Sequence, residues 1–233
     1  MKKLIIIFLV LFMGCEEYHP TTKYLSTIID LTEEDSYKPS AKEVLSYLEN
    51  EHSSDGIELS LRYVGETRYA EKYQFVLPTG ETGWFSNEDT RRTKRRMLLE
   101  NFKDTLSSYE NRLSLRSEIF RLTVEEVNRL SMTDRRSTLL LFSDLKEHSS
   151  LFSVYDKRQV RQLYKSPKLL AQKFSKDVSV AKDLSGITIH ILYQPKLKDD
   201  QLFTALVALY RAVFEPRGAS VKVSKTHKIS FQK

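Results

Sequence analysis

Two aspartates stand at positions where their carboxylates could bind a ligand. Asp144 comes with Ser143 directly after the apolar run 139–142, and Asp30 follows the β-branched and aromatic segment 24–29. An apolar run without helical period favours a central strand that is buried on both faces. In open α/β sheets ligands bind at the carboxyl ends of the strands, because the loops there have no packing role. These residues therefore favour a polar crevice at one edge of a sheet.

The elements that must position these acids are predicted from the period of the apolar residues. Predicted strands cover residues 24–29, 57–64, 72–77, 139–142, 187–193 and 219–223. Predicted helices cover residues 40–50, 88–109, 117–130 and 199–214, with one or two more around 160–174. Pro39 and Ser40 open the first helix, and Asp55 with Gly56 ends it.

The order of these elements predicts an α/β fold with three layers. The link 65–71 is too short for a helical crossover, so the second and third strands form an antiparallel pair. The other strands alternate with helices, which favours a mostly parallel central sheet with one antiparallel edge strand and helices on both faces. Right-handed crossovers favour the strand order three-two-one-four-five-six. In that order the first and fourth strands are neighbours, so Asp30 and Asp144 face one crevice.

The composition allows one sizeable domain and excludes some classes of site. The chain has 233 residues, of which 40% are hydrophobic and 29% charged. The length allows one sizeable domain or two small ones; we expect one domain over 24–224 and a basic tail over 225–233. The single cysteine, Cys15, excludes an intrachain disulfide and a cysteine-rich zinc site. The formal charge of +6 falls to +4 once Lys2 and Lys3 are removed with a leader, and so mild a surplus does not favour nucleic acid as a partner.

The amino terminus has the pattern of a secreted lipoprotein. A charged start is followed by ten apolar or nearly apolar residues, 4–13, which are too few to span a bilayer comfortably. The next residues resemble a bacterial lipobox, with Phe12 in place of the usual leucine before Cys15. The resemblance implies a signal peptide over 1–14, a lipidated tether over 15–23 and an extracytoplasmic chain held at the inner or outer membrane by acylated Cys15. A plain signal peptide or an anchor helix is the alternative.

Nearly the whole mature chain resembles a von Willebrand factor type A domain. That family has a metal-ion-dependent adhesion site built from three loops, with an Asp-x-Ser-x-Ser motif, a threonine before a helix and an aspartate after a central strand. Asp30 and Thr32 match the first motif, but Glu34 replaces its last serine. Ser117 is the candidate for the second motif, and Asp144 matches the third.

The resemblance implies a site for Mg²⁺, which prefers oxygen ligands and needs only one or two carboxylates. Asp30 and Asp144 would supply charge, and Thr32 and Ser117 would supply neutral oxygens. An open position on the ion would then accept a carboxylate from a partner. Glu34 could also be a ligand, but its negative charge lowers the attraction of the ion for an incoming acid. The other possibility is a degenerate member of the family that keeps the scaffold and binds by its loops.

Each of these residues also has a simpler structural interpretation. Asp30 and Thr32 could end a strand and begin a turn. Ser117 could be a helix N-cap, worth about 1 kcal/mol in that role. Their joint placement at the predicted edge of one sheet is what favours a binding site.

The function expected from these features is a lipid-anchored extracytoplasmic module that binds an envelope protein through the crevice. The enzyme alternative is a phosphohydrolase similar to the haloacid dehalogenases. It would use Asp30 as nucleophile, Ser143 to bind phosphate, Lys198 as a charge clamp, and Asp199 with Asp200 on Mg²⁺. Thr32 stands where such hydrolases keep a second aspartate, which argues against this alternative. A structural lipoprotein without metal is the third possibility.

Three further features could contact a ligand or pack in the fold. Residues 91–96 contain five basic side chains, two pairs of which share a helical face; they could bind phosphates or anionic lipid, or be a solvated face. Trp84 could anchor a partner or pack under the edge strands. His148 lies in the loop after Asp144, where a solvated histidine is the simpler interpretation.

Overall fold

The computed structural model describes residues 18–33, 36–48, 52–64, 71–80, 87–108, 116–133, 136–194 and 200–226. The six strands are β1 Thr22–Ile29, β2 Gly56–Tyr63, β3 Lys72–Leu77, β4 Ser137–Phe142, β5 Ile187–Tyr193 and β6 Ser220–Lys225. The helices are α1 Ala41–Leu45, α2 Glu88–Ser108, α3 Ile119–Leu130, α4 Lys157–Lys165, α5 Pro167–Asp177 and α6 Asp200–Phe214. Short 3-10 turns, Ser46–Leu48 and Glu215–Arg217, follow α1 and α6.

The strands form one sheet in the order β3-β2-β1-β4-β5-β6. Only the β2–β3 pair is antiparallel; β1 lies parallel to both β2 and β4, and β5 and β6 continue in parallel. The predicted order, the antiparallel edge strand and the α/β class are therefore confirmed. Ile29 pairs with Phe142 in the register of β1 and β4, so the residues that follow these strands emerge side by side.

Helices cover both faces of the sheet, and β4 is buried between the two layers. Leu139 and Leu141 belong to the core formed with α3, α4, α5 and α6, whereas Leu140 and Phe142 belong to the core formed with α1 and α2. Successive side chains of a strand point to opposite faces, so an uninterrupted apolar run is what a strand with two covered faces requires. The interpretation of this run as a central strand is confirmed.

Two helix boundaries differ from the prediction. The first helix ends at Leu45, short of residue 50, and the chain continues in a 3-10 turn. Its start is as expected, because the Ser40 hydroxyl accepts a hydrogen bond from the Glu43 N–H at 3.1 Å. The third helix begins at Ile119, two residues after the predicted start at Ser117.

A buried polar network joins α3 to the sheet. The Ser26 and Ser60 hydroxyls each donate a hydrogen bond to Oε1 of Glu126 at 2.8 Å, and the Arg129 guanidinium donates to the same oxygen at 2.7 Å. Burial tends to raise the pKa of Glu126, but Arg129 and these hydrogen bonds outweigh burial, and the pKa is lowered. The carboxylate is therefore held ionised inside the protein.

The described part of the chain contains no helix with the length and apolar character needed to cross a bilayer. The predicted leader and Cys15 lie outside the described residues, as do Glu34, Trp84, Lys198, Asp199 and residues 227–233 of the predicted basic tail.

Candidate functional site

A crevice opens at the carboxyl ends of β1, β4 and β5, where the sequence predicts one. Asp30 follows β1, Ser143 and Asp144 follow β4, and Gln194 follows β5. The residues that line the crevice are Asp30, Glu33, Ser36, Tyr37, Phe142, Ser143, Asp144, Leu192 and Gln194. The two predicted aspartates thus border the same crevice, because their strands are neighbours in the sheet.

Asp30 is buried, and hydrogen bonds from the protein satisfy both of its carboxylate oxygens. The Thr32 hydroxyl donates to Oδ1 at 2.7 Å, and the Ser143 hydroxyl donates to Oδ2 at 2.9 Å. Burial raises the pKa of Asp30 to about 6, and the nearby charge of Asp144 adds to this rise, while the hydrogen bonds oppose it. Thr32, a predicted ligand, therefore lies at the site as a partner of Asp30.

The side chain of Lys146 provides a positive charge at this site. Its Nζ lies 3.2 Å from Oδ2 of Asp144 and 3.5 Å from Oε1 of Glu33. Burial raises the pKa of Asp144 and Glu33 raises it further, whereas the Lys146 ammonium opposes this. The Lys146 ammonium thus lies between the carboxylates of Asp144 and Glu33, at a position where a metal cation could otherwise bind.

A tight turn fixes the positions of Asp144 and Lys146. Leu145 between them has a φ of +62°, in the left-handed region, which costs a residue with a side chain about 1–2 kcal/mol. The turn is held by two local hydrogen bonds: the Leu145 N–H donates to the Ser143 hydroxyl at 2.8 Å, and the Lys146 N–H donates to Oδ1 of Asp144 at 3.1 Å. The Leu145 side chain is buried, which keeps the turn in this conformation.

Ser117 is not among the residues that line the crevice. Its backbone forms an isolated bridge with His148 in the loop after β4, and its buried hydroxyl has no hydrogen-bond partner among the described residues. Ser117 is also not the N-cap of α3. That end of the helix is satisfied by Glu147, whose carboxylate accepts a hydrogen bond from the Phe120 N–H at 2.9 Å. The interpretation of Ser117 as a cap is therefore wrong.

The arrangement of these groups does not fit Mg²⁺. The Lys146 ammonium lies between Asp144 and Glu33, and the oxygens of Asp30 already accept two hydroxyl hydrogens. Within the described ranges, no three acidic, histidine or cysteine side chains are grouped so that they could hold an ion together. Mg²⁺ binding by Asp30, Thr32, Ser117 and Asp144 stays a prediction, for which a titration is the test.

Three residues of the enzyme alternative lie among the described residues: Asp30, Ser143 and Asp200. Asp30 and Ser143 are hydrogen-bonded at the crevice, and Asp200 is the first residue of α6, where it accepts a hydrogen bond from the Tyr193 hydroxyl at 3.4 Å.

Arg91, from the basic run on α2, has a structural role. Its guanidinium donates hydrogen bonds to three backbone carbonyls, at 2.6 Å to Ser53, at 2.8 Å to Pro78, and to Asp55. It therefore ties α2 to the ends of β2 and β3. His148 is half-buried, and its Nδ1 lies 2.9 Å from the Ser153 hydroxyl.

Sequence reasoning missed Lys146, Glu33 and Glu147. The spacing of Lys146, two residues after Asp144, is that of an Asx turn, in which an aspartate accepts a hydrogen bond from a backbone N–H two residues on. This local signal could have placed the ammonium near the aspartate.

The fold and the crevice define an α/β protein with an open, mostly parallel sheet and a polar site at its carboxyl edge. No known protein family matches the sequence, and no curated protein matches it either.

Proposed function

We propose that this chain is a lipid-anchored extracytoplasmic interaction module, with a fold similar to the von Willebrand factor type A domain, that binds a partner protein through the crevice without a metal ion. The observation that carries the proposal is the Lys146 ammonium between Glu33 and Asp144. The Lys146 ammonium replaces the divalent ion of a metal-dependent adhesion site.

The charge at the crevice indicates what the partner presents. Asp30, Glu33 and Asp144 provide three carboxyl groups against the one ammonium of Lys146. The pKa of Asp30, about 6, leaves most of this group ionised at neutral pH, so the crevice is negatively charged. A metal-dependent adhesion site binds a carboxylate of its partner, whereas this negatively charged crevice attracts a lysine or arginine side chain of the partner.

Apolar and hydrogen-bonding groups at the crevice support a protein ligand. Tyr37 stacks over Phe142 with ring centroids 6.1 Å apart, and the Tyr37 hydroxyl donates to Glu43 at 2.6 Å. Ser36 and Gln194 add polar groups beside these rings. Phe142 is buried, so Tyr37 is the aromatic side chain that a partner can contact, and tyrosine is enriched at the centre of protein interfaces.

Capture from envelope extracts tests the proposal. The full chain in detergent is immobilised as wild type, as Asp144→Asn and as the control Asp104→Asn on the exposed face of α2. We expect a protein captured by wild type and by the control, lost with Asp144→Asn, and unaffected by EDTA. Equal capture by all three forms would show that the crevice is not the interface, and loss with EDTA would show that a metal is needed.

The anchor is tested separately by the intact mass of the protein purified from membranes. We expect the mass of a chain that begins at Cys15 and carries acyl groups, and we expect Cys15→Ala to lose both changes. Release of phosphate from a generic phosphomonoester in the presence of Mg²⁺ would instead favour the phosphohydrolase.

A further inference from the structure

Helices α4 and α5 carry an unbalanced positive charge. Residues 157–176 contain seven basic side chains and no acidic one. The seven are Lys157, Arg158, Arg161, Lys165, Lys168, Lys173 and Lys176. With Asp156 and Asp177 at its two ends included, the segment has a net charge of +5, nearly as large as the +6 surplus of the whole chain.

All seven basic side chains are exposed to solvent. The ion pairs among the described residues do not include any of them. The basic side chains of α2 differ in this respect. Their helix also carries four acids before and after the basic run, Glu88, Asp89, Glu100 and Asp104, and Arg91 holds the backbone. In the α4–α5 segment the acids are confined to its two ends, Asp156 before Lys157 and Asp177 after Lys176.

Two large apolar side chains lie exposed among these cations. Tyr164 is 44% exposed at the end of α4, and Leu169 is 59% exposed in the first turn of α5. The chain turns between them, at Ser166 and Pro167. Because Tyr164 and Leu169 are only five residues apart in the sequence, their Cα atoms lie less than about 20 Å apart. We call this surface, Tyr164, Lys165, Lys168 and Leu169, the basic corner.

Packing of the two helices does not explain the apolar residues of the basic corner. Leu163 on α4 and Leu170, Ala171 and Phe174 on α5 are the side chains that enter the core. Leu169 lies on the opposite side of its helix from these residues, where a polar residue would be expected.

We propose that the basic corner binds the surface of an anionic lipid membrane, with its cations on the lipid phosphates and Tyr164 and Leu169 among the headgroups. Basic residues beside exposed leucine and aromatic side chains are the composition of an interfacial surface. Each basic residue close to an anionic bilayer strengthens binding about fivefold. The proposal is independent of the crevice and its partner. A tether at Cys15 would supply the high local concentration that lets weak surface contacts form.

Lysine footprinting tests the proposal on the full chain. The protein is reconstituted into vesicles of phosphatidylcholine alone and into vesicles that also contain phosphatidylglycerol, and acetylation of each lysine is followed by mass spectrometry. We expect Lys165 and Lys168 to be acetylated about fivefold more slowly on the anionic vesicles. Lys94 and Lys103 on α2 should react equally on both. Equal reactivity of Lys165 and Lys168 on the two vesicles would overturn the proposal, and so would equal protection of α2.

Matched variants separate a specific surface from general charge attraction. Lys165→Gln and Lys168→Gln in the basic corner, together with Arg161→Gln beside it, remove three charges, and Arg92→Gln, Lys94→Gln and Arg96→Gln remove three from α2. All six side chains are exposed, so neither variant disturbs the core. We expect the protection of Lys157 and Lys173 to be lost in the first variant and kept in the second. The same loss in both would contradict the proposal.

Leu169→Ser distinguishes a membrane from another polyanion. On anionic vesicles we expect this variant to lose protection at Lys168. An oligonucleotide is the competing ligand. If it protects Lys165 and Lys168 equally in wild type and in Leu169→Ser, and as strongly as anionic vesicles protect them in wild type, nucleic acid is the ligand and the proposal is overturned.

Discussion

Glu147 is a carboxyl group whose burial makes the stability of the protein depend on pH. It is 3% exposed and caps α3 through the Phe120 N–H, and burial raises its pKa to about 7. In the unfolded chain this carboxyl titrates at its ordinary value of 4.5. Between these two values Glu147 binds more protons in the folded state than in the unfolded state, so its contribution to stability is greatest at low pH and falls as the pH rises.

We therefore expect Glu147→Gln to flatten this slope. With these two pKa values, Glu147 lowers the unfolding free energy of the wild type by about 3 kcal/mol when the pH rises from 4.5 to above 7. Urea unfolding at pH 5 and pH 8 measures the difference for wild type, for Glu147→Gln and for Glu100→Gln, an exposed control on α2. Asp30, whose pKa is also raised, keeps part of the slope in all three proteins. An unchanged slope in Glu147→Gln would show that Glu147 is not its source.

We expect Lys146 to determine whether the crevice binds a metal ion. Replacement by methionine leaves Asp144 and Glu33 without the ammonium between them, and a divalent ion can then bind the two carboxylates. We expect Lys146→Met to bind Mg²⁺ or Mn²⁺ with a dissociation constant on the order of 1 mM, and wild type and Lys173→Met to give no heat in a calorimetric titration. Heat from wild type would show that the ammonium does not exclude the ion.

At the scale of elements, α3 is joined to the sheet by charge as well as by apolar packing. Glu126 is 1% exposed and binds two serines of the sheet and two arginines, whereas its neighbour Glu125 is 43% exposed and binds Arg62 alone. Loss of one partner from a buried ion pair leaves a charge without compensation.

We expect Glu126→Gln to lower the unfolding free energy by about 1–3 kcal/mol, because its buried hydrogen bonds are weakened while Arg62 keeps Glu125 and Arg129 keeps Glu58. Glu125→Gln removes an ion pair to the same arginine near the surface, and it should cost less than about 1 kcal/mol. Chemical denaturation of the two variants measures both values. Equal losses would show that the depth of the carboxylate does not matter.

The elements themselves could be predicted, but the end of α3 could not. The strands β2 and β4 are found where their patterns place them, but the alternation of β2 predicts a half-buried strand and this is wrong, because α3 covers its polar face and binds Ser60 and Arg62. Ser117 has the local pattern of a helix cap, because such a pattern depends only on residues that are neighbours in the sequence. The actual partner of the helix end, Glu147, is 27 residues away in the sequence. A contact at that separation leaves no local pattern.

At the scale of the whole molecule, chain connectivity determined what could be predicted. A short link and right-handed crossovers leave few possible sheet orders, and the order found brings Asp30 and Asp144 to one crevice. The position of Lys146 could not be derived in the same way, because it depends on the left-handed conformation of Leu145 and on the fold that stabilises it. The predicted strands therefore locate the crevice, but not the charges inside it.

The two cores should unfold together, because β4 belongs to both. Leu139 lies in the core with α3 and Leu140 in the core with α2, and both are fully buried. We expect Leu139→Ala and Leu140→Ala each to cost about 2–5 kcal/mol and to shift one single transition, with far-UV and near-UV circular dichroism coinciding. Val76→Ala, on an exposed face of β3, should leave the midpoint nearly unchanged. Separate transitions for the two layers would show that the sheet does not couple them, and residues 24–224 would then not behave as one domain.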